Sequence, residues 1–141
     1  MLRELNPMAV LAARDLQRAR AFYRDTLGLD PSDIVMGQLM YSAPSGMRFM
    51  IYETENAGTA QNTQMCWMTA DFDAEIEQLR SRGVKFEDYD QPGLKTENGV
   101  ATMDDEKSAW FKDSEGNILC IAQVTAAFMS DAGTPAGAAS V

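Results

Sequence analysis

The sequence predicts an α+β fold built from two β-α-β-β-β modules in tandem, whose curved mixed or antiparallel sheet surrounds a central pocket. One block of the chain occurs twice: an apolar strand, an Asp, an amphipathic helix, a Gly and then further strands. After each helix, short strand-like runs follow at hairpin-length gaps, an order typical of α+β domains. These two observations together predict the fold class.

The first module is expected over about residues 6–54. Its apolar strand occupies 8–13, and a helix follows over about 15–27, where apolar side chains recur every three or four residues. Asp15 can accept hydrogen bonds from the free N–H groups at the helix start, and Gly28 suits the left-handed conformation that ends a helix. The strands expected after this helix are 34–36, 38–42 and 47–53.

The second module is expected over about residues 63–124. Its strand at 64–69 precedes a helix over about 72–82, which lies between Asp71 and Gly83 as its end signals. Charged residues on the outer faces of both helices, Arg18 among them, are interpreted as solvated surface. The strands expected after this helix are 84–88, 99–103, 109–113 and 118–124, with a polar turn at 113–117.

The length of 141 residues favours a single domain, which we place at residues 1–125. The small, polar segment 56–62 between the modules is predicted to be a mobile linker. Residues 126–141 are poor in core side chains, and we expect them to form a flexible C-terminal tail.

Composition excludes several classes of partner. The net charge of −9 and the pI near 4.4 leave no basic surface for a phosphate backbone, so nucleic acid is not expected as a partner. No apolar run approaches the length of a membrane helix and no secretory leader is recognisable, so no membrane association is expected. Both cysteines, Cys66 and Cys120, lie in apolar runs and are predicted to be reduced, which favours a cytoplasmic protein.

Two motifs resemble a known family. Asp15-Leu16 is followed by Phe22-Tyr23-Arg24-Asp25-Thr26-Leu27-Gly28-Leu29, and the second module ends in the turn Trp110-Phe111-Lys112-Asp113-Ser114-Glu115-Gly116-Asn117. Over about residues 6–123 the chain resembles the vicinal oxygen chelate superfamily, which includes glyoxalase I, extradiol dioxygenases, fosfomycin-resistance enzymes and bleomycin-binding proteins. Ser114 stands where many members have proline. The resemblance implies the fold, whereas the superfamily hosts many chemistries on it.

The resemblance also implies four metal-ligand positions, and in this chain they hold Met8, Met50, Gln64 and Cys120. Because the chain has no histidine and these positions have no carboxylate, an Fe, Ni or Zn site is not expected, nor is any cofactor. The two thioethers and the thiol could instead hold Cu(I). We favour the simpler interpretation that they fill an apolar cavity.

Strand alternation predicts the remaining lining of the pocket, because every second side chain shares a face. The predicted ligand pocket comprises Met8, Arg48, Met50, Tyr52, Gln64, Cys66, Met68, Trp110 and Cys120. Such a largely apolar surface with a few polar groups is the usual composition of a small-molecule site. Each polar group also has a simpler interpretation: Arg48 could reach the surface, Tyr52 could be ordinary sheet filler, and Trp110 could be core or pocket wall. The cysteines have no histidine to activate them, so no catalytic residue is identified.

The leading hypothesis is a metal-independent small-molecule-binding protein, resembling the bleomycin-binding proteins and sequestering an antibiotic or metabolite. An alternative is a glyoxalase-like lyase or isomerase, or a dioxygenase-related enzyme, with non-standard pocket ligands or with Glu53 or Glu97 as a metal-free base. A regulatory or interaction module without a ligand is a third hypothesis. We expect a homodimer, since isologous pairs are common.

Overall fold

The computed structural model describes residues 1–124 and confirms the α+β class, with two four-stranded mixed sheets and one two-stranded hairpin. The strands are β1 Ala9–Ala13, β2 Asp33–Val35, β3 Gln38–Ser42, β4 Arg48–Glu53, β5 Thr63–Thr69, β6 Asp90–Gln91, β7 Leu94–Lys95, β8 Val100–Met103, β9 Glu106–Lys112 and β10 Ile118–Gln123. The helices are α1 Leu16–Asp25 and α2 Phe72–Ser81, and a 3-10 turn covers Leu2–Glu4. The tail predicted at 126–141 lies outside the described residues.

The two sheets have the same topology. The first has the order β1-β4-β3-β2 and the second the order β5-β10-β9-β8, and in each the first and last strands of the module pair in parallel. The remaining pairs are antiparallel hairpins. Helix α1 connects β1 and β2, which are the two edge strands of the first sheet, whereas α2 leads from β5 to the separate β6–β7 hairpin.

Three of the four predicted helix-end signals are confirmed. The Asp15 side chain accepts from the N–H groups of Gln17 and Arg18, while Gly28 and Gly83 have φ of 72° and 89° in the left-handed region. The fourth prediction is wrong, because the side chain of Asp71 makes no capping bond. Its backbone N–H instead donates to Thr69 Oγ1 at 3.0 Å, which tightens the turn before α2.

The predicted strand at 84–88 is wrong, since only Phe86 forms an isolated bridge there, to Phe111. The segment bends instead into the β6–β7 hairpin, which the sequence pattern missed. Local side-chain bonds explain the difference: Thr96 Oγ1 accepts from the Tyr89 N–H at 2.7 Å and donates to Asp88 Oδ1 at 3.0 Å. The Tyr89 N–H is therefore bonded to a side chain and is not free to pair with a neighbouring strand.

Both modules contribute to one hydrophobic core, formed where the helix-covered faces of the two sheets meet. From the first module Leu11 and Ile51 are buried in it, and from the second Leu119 and Ile121. Phe49 of β4 meets Trp67 of β5 edge to face, with ring centroids 6.4 Å apart. The modules are therefore joined through their helix-covered faces.

The turn between β9 and β10 is a second junction between the modules. The fully buried Glu115 carboxylate accepts from the backbone N–H groups of Arg14 and Asp15 at 2.9 and 3.0 Å, and from the Arg18 guanidinium at 2.8 and 3.0 Å. Arg18 is 54% exposed, in agreement with its interpretation as surface, but its guanidinium also pairs with a carboxylate of the other module.

The segment between the modules packs against this same turn. Ala57 is buried, and a Cβ placed on Gly58 would lie 2.6 Å from the Glu115 carbonyl oxygen. Gly58 also has φ of 75°, so glycine is required for both space and conformation. Part of the segment predicted as a mobile linker is thus held in the module interface.

Candidate functional site

On the first sheet the predicted pocket residues share one face. Val10, Met50 and Met40 lie side by side on three adjacent strands, and Arg48 and Tyr52 flank Met50 on β4. Met8 directly precedes β1, and the register of β1 and β4 places it opposite Arg48. Neither α1 nor α2 covers this face, as the exposed fractions of Val10 (48%), Met8 (37%) and Tyr52 (37%) show.

On the second sheet the predicted residues form another face. Cys66, Cys120 and Trp110 lie in one row across β5, β10 and β9, and Met68 lies beside Ala122 in the next row. Cys66 and Met68 are exposed, whereas Cys120 is buried. The face therefore offers sulfur atoms and an indole at its surface.

Trp110 is held in a defined orientation. Its Nε1–H donates to Thr63 Oγ1 at 3.0 Å, and its ring meets that of Tyr89 edge to face with centroids 5.8 Å apart. Tyr89 belongs to the loop before β6, which thereby forms a wall beside the row that contains Cys120. The simpler interpretation of Trp110 as pocket wall agrees with these contacts.

Gln64 lies at an irregularity of the second sheet. The register between β5 and β10 shifts here, since Ile118 is opposite Thr63 and Leu119 is opposite Met65, which leaves Gln64 without a direct partner. Among residues 1–124 no hydrogen-bond donor reaches its buried Oε1 atom. A buried acceptor without a donor is costly, so this atom is suited to accept from a bound group.

The two cysteine thiols interact with each other. The neighbouring Cys120 thiol lowers the pKa of Cys66, although burial opposes the shift. The Cys66 thiol, together with burial, raises the pKa of Cys120. Of the two, Cys66 is therefore the thiol that ionises first, and it is also the exposed one.

The structure brings the predicted residues together as two groups and not as one. Met8, Arg48, Met50 and Tyr52 belong to the first sheet, and the other five belong to the second. Phe49 and Trp67, which join the sheets, point to the sides opposite these groups. Within residues 1–124, no hydrogen bond or ring contact links the two candidate faces. The physical reason is that the apolar helix-covered faces bury each other and leave the candidate faces outward.

A cavity of about 260 Å³ lies elsewhere, between α2 and the segment after α1. Its lining residues are Leu27, Leu29, Trp67, Met68, Thr69, Glu75, Leu79, Phe111 and Ile121. Only Met68 belongs to the predicted pocket. The sequence periodicity assigns these leucines to the core, so no pattern distinguished cavity wall from packed core.

The family-implied metal positions do not fit a borderline divalent ion. Met8 and Met50 supply thioethers, Gln64 a neutral amide and Cys120 a buried thiol, whereas Fe, Ni and Zn sites use imidazole, thiolate or carboxylate ligands in one cluster. In the described part of the chain no three His, Cys, Asp or Glu residues are grouped as a metal site.

The two carboxylates considered as metal-free bases lie off the candidate faces. Glu53 is opposite Ala13 in the register of β4 and β1, and so alternates away from Met50 and Tyr52. Glu97 is exposed in the loop before β8. Neither position places a carboxylate beside the predicted pocket residues.

In residues 1–124, neither helix has the length and apolar character that crossing a membrane requires.

Comparisons with known proteins give a consistent picture of the fold. A family model for the Glyoxalase/Bleomycin resistance protein/Dioxygenase superfamily matches residues 5–121. The search of curated proteins found no match.

Three solved structures illustrate the similarity. A glyoxalase/bleomycin resistance protein from Catenulispora acidiphila is 24% identical, with a TM-score of 0.61, and the match covers 86% of this chain and 99% of that one. TnmS3, an antibiotic binding protein from Streptomyces, is 21% identical with a TM-score of 0.63 over 84% and 93%. Lactoylglutathione lyase from Agrobacterium tumefaciens is 16% identical with a TM-score of 0.62 over 84% and 92%. At these identities the similarity shows the fold alone.

Proposed function

Because this chain belongs to the Glyoxalase/Bleomycin resistance protein/Dioxygenase superfamily, we propose that it binds a small molecule against its candidate faces without an Fe, Ni or Zn ion. The observation that carries the proposal is the Oε1 atom of Gln64, which is buried beside an open, sulfur-rich face and accepts from no donor within residues 1–124. A ligand donor at this atom would remove the cost of an unsatisfied acceptor.

The composition of the candidate faces supports a ligand with substantial apolar surface. Met50, Met68 and Trp110 provide apolar contact, and thioethers adapt their shape to irregular ligands. Arg48 and Tyr52 of one copy and Gln64 of another would orient the ligand where the two faces meet in the dimer proposed below. An antibiotic or a comparable aromatic metabolite fits this chemistry, and TnmS3 is a protein of the same fold that binds an antibiotic.

The described residues 1–124 offer no feature that favours the enzymatic alternative over binding. The lyase of similar fold shares 16% identity, and neither Glu53 nor Glu97 lies on a candidate face. We therefore expect no turnover of the methylglyoxal–glutathione adduct by the purified protein, measured as the change in its ultraviolet absorbance. Turnover above that of a heat-inactivated sample would show that the alternative is correct.

Ligand binding is expected to depend on Gln64. The panel of probes is bleomycin, doxorubicin and tetracycline, and binding is followed by isothermal titration calorimetry. Gln64→Leu removes the acceptor, so we expect a three- to tenfold weaker affinity, or about 0.5–1.5 kcal/mol. The stability of the free protein should not fall, because the variant also removes an unsatisfied buried atom.

The matched control is Gln17→Leu, an exposed position of α1 that is remote from both faces. This variant should bind as the natural chain does. If no member of the panel binds, or if Gln64→Leu and Gln17→Leu bind equally well, the proposed role of Gln64 is wrong.

We also propose that the protein is a homodimer in which the first sheet of one copy faces the second sheet of the other. Each chain presents two open faces that point away from its own core, and a two-fold pair would cover both with the same contacts. Exposed Val10 and Met68 would then lie between two sheets.

Light scattering at micromolar concentration should give twice the chain mass of 15.5 kDa. Val10→Asp places a charge on the first candidate face and should shift the mass to that of a monomer, because a charge buried without a partner is costly. Leu2→Asp, at an 82% exposed residue of the N-terminal turn, is the control and should remain dimeric. A monomeric mass for the natural chain would contradict the dimer.

A further inference from the structure

The second sheet carries both cysteines of the chain, on adjacent strands. Cys66 of β5 is directly opposite Cys120 of β10, and both side chains point to the candidate face. Because neighbouring strands lie about 4.8 Å apart, these two side chains are next to each other on this face. Met68, two residues after Cys66, brings a thioether to the same face of the same strand.

We propose that Cys66 and Cys120 form a two-thiolate site for monovalent copper, with the thioether of Met68 as a third donor. Cu(I) is a soft ion that selects thiolate and thioether ligands. The site differs from the copper-ligand set considered in the sequence, because Met8 and Met50 lie on the other sheet. It is independent of the small-molecule proposal, which requires no metal.

The surroundings of the two thiols favour a soft ion over a hard one. The chain has no histidine, and no cluster of three His, Cys, Asp or Glu side chains occurs within residues 1–124. Oxygen donors for Mg²⁺ or Ca²⁺ are thus not assembled at this face. Trp110 lies beside Cys120 in the sheet and Tyr89 contacts the indole, so an apolar wall limits the access of water to one side of the site.

Proton and charge balance require no further reactant. One Cu(I) ion replaces two thiol protons and forms a bis-thiolate complex with one net negative charge, and no electron is transferred. Copper displaces the protons of both thiols when it binds.

Cys66 and Cys120 are expected to contribute equally to Cu(I) affinity, and Met68 is expected to contribute less. Loss of either cysteine leaves a single thiolate, whereas loss of the Met68 thioether leaves the thiolate pair intact. We therefore expect Cys66→Ser and Cys120→Ser each to weaken Cu(I) binding by about a hundredfold, and Met68→Leu by about tenfold.

The test is an anaerobic titration of the full, reduced chain with Cu(I) against the chelator bicinchoninate. We expect one Cu(I) per chain and an ultraviolet band from sulfur-to-copper charge transfer. Met47→Leu removes a 64% exposed thioether away from the site and should leave the titration unchanged. Circular dichroism shows whether Cys120→Ser folds, and the exposed Cys66→Ser variant supplies the same test if it does not.

Two results would overturn the proposal: bicinchoninate retaining all copper in the presence of the natural chain, or Cys66→Ser binding copper as tightly as that chain. The outcome does not depend on whether bleomycin, doxorubicin or tetracycline binds. Failure of the antibiotic titration and failure of the copper titration are therefore distinguishable.

Discussion

Asp113→Ala is expected to lower the free energy of unfolding by about 3–4 kcal/mol, the largest effect of a single substitution in this chain. The buried Asp113 carboxylate accepts from the Tyr23 hydroxyl at 2.9 Å and from Asn117 Nδ2 at 2.7 Å. It also accepts from the backbone N–H groups of Glu115 and Asn117, both at 2.9 Å. Truncation leaves these donors buried without an acceptor at the junction of the two modules.

Urea denaturation followed by circular dichroism measures this effect. Tyr23→Phe removes only one of the four bonds and should cost about 1 kcal/mol. Asp105→Ala, at the exposed tip of the β8–β9 hairpin, is the control and should change stability by no more than about 0.5 kcal/mol. A loss of less than about 1 kcal/mol for Asp113→Ala would contradict the role of this carboxylate.

Acid is expected to weaken the module junction through Glu115. Burial alone would raise the pKa of Glu115, but hydrogen bonds from Arg18, the Asp15 N–H, Ser114 and the Arg14 N–H lower it from 4.5 to about 2. Because the pKa is lower in the folded chain than in the unfolded one, the stabilisation is fully present above pH 4.5. It is lost as the pH falls from 4.5 towards 2.

Urea denaturation at a series of pH values between 7 and 2.5 tests this prediction. Glu115→Gln removes the charge and should cost about 2 kcal/mol at pH 7, with a flatter decline of stability in acid. Glu106→Gln changes an exposed carboxylate at the start of β9 and should keep the natural pH profile. Equal acid dependence in the Glu115→Gln variant and the natural chain would show that another group causes it.

Local signals in the sequence predicted most of the fold, because they act through neighbouring residues. The capping carboxylate of Asp15 and the left-handed Gly28 were readable from the positions that flank each helix. The contact between Arg18 and Glu115 was not, since it joins residues 97 positions apart and follows no periodicity. Asp71 has the right residue type for a cap, but its turn is closed by Thr69 instead.

For each single strand of the candidate site, the sequence predicted which side chains share a face. Alternation placed Arg48, Met50 and Tyr52 on one face and Cys66 and Met68 on another, as the structure has them. It could not show that these faces point away from each other, because that depends on how the two helix-covered faces pack. The adjacency of Cys66 and Cys120 likewise depends on the register between strands that lie far apart in the sequence.

The central claim is that a small molecule binds on the candidate faces, and mapping of backbone amide NMR shifts tests it most directly. The tightest-binding member of the bleomycin, doxorubicin and tetracycline panel is added to labelled protein. We predict the largest shifts at Gln64, Cys66 and Trp110, which belong to the second candidate face. Shifts confined to Leu27 and Leu79 in the cavity beside α2 would contradict the claim.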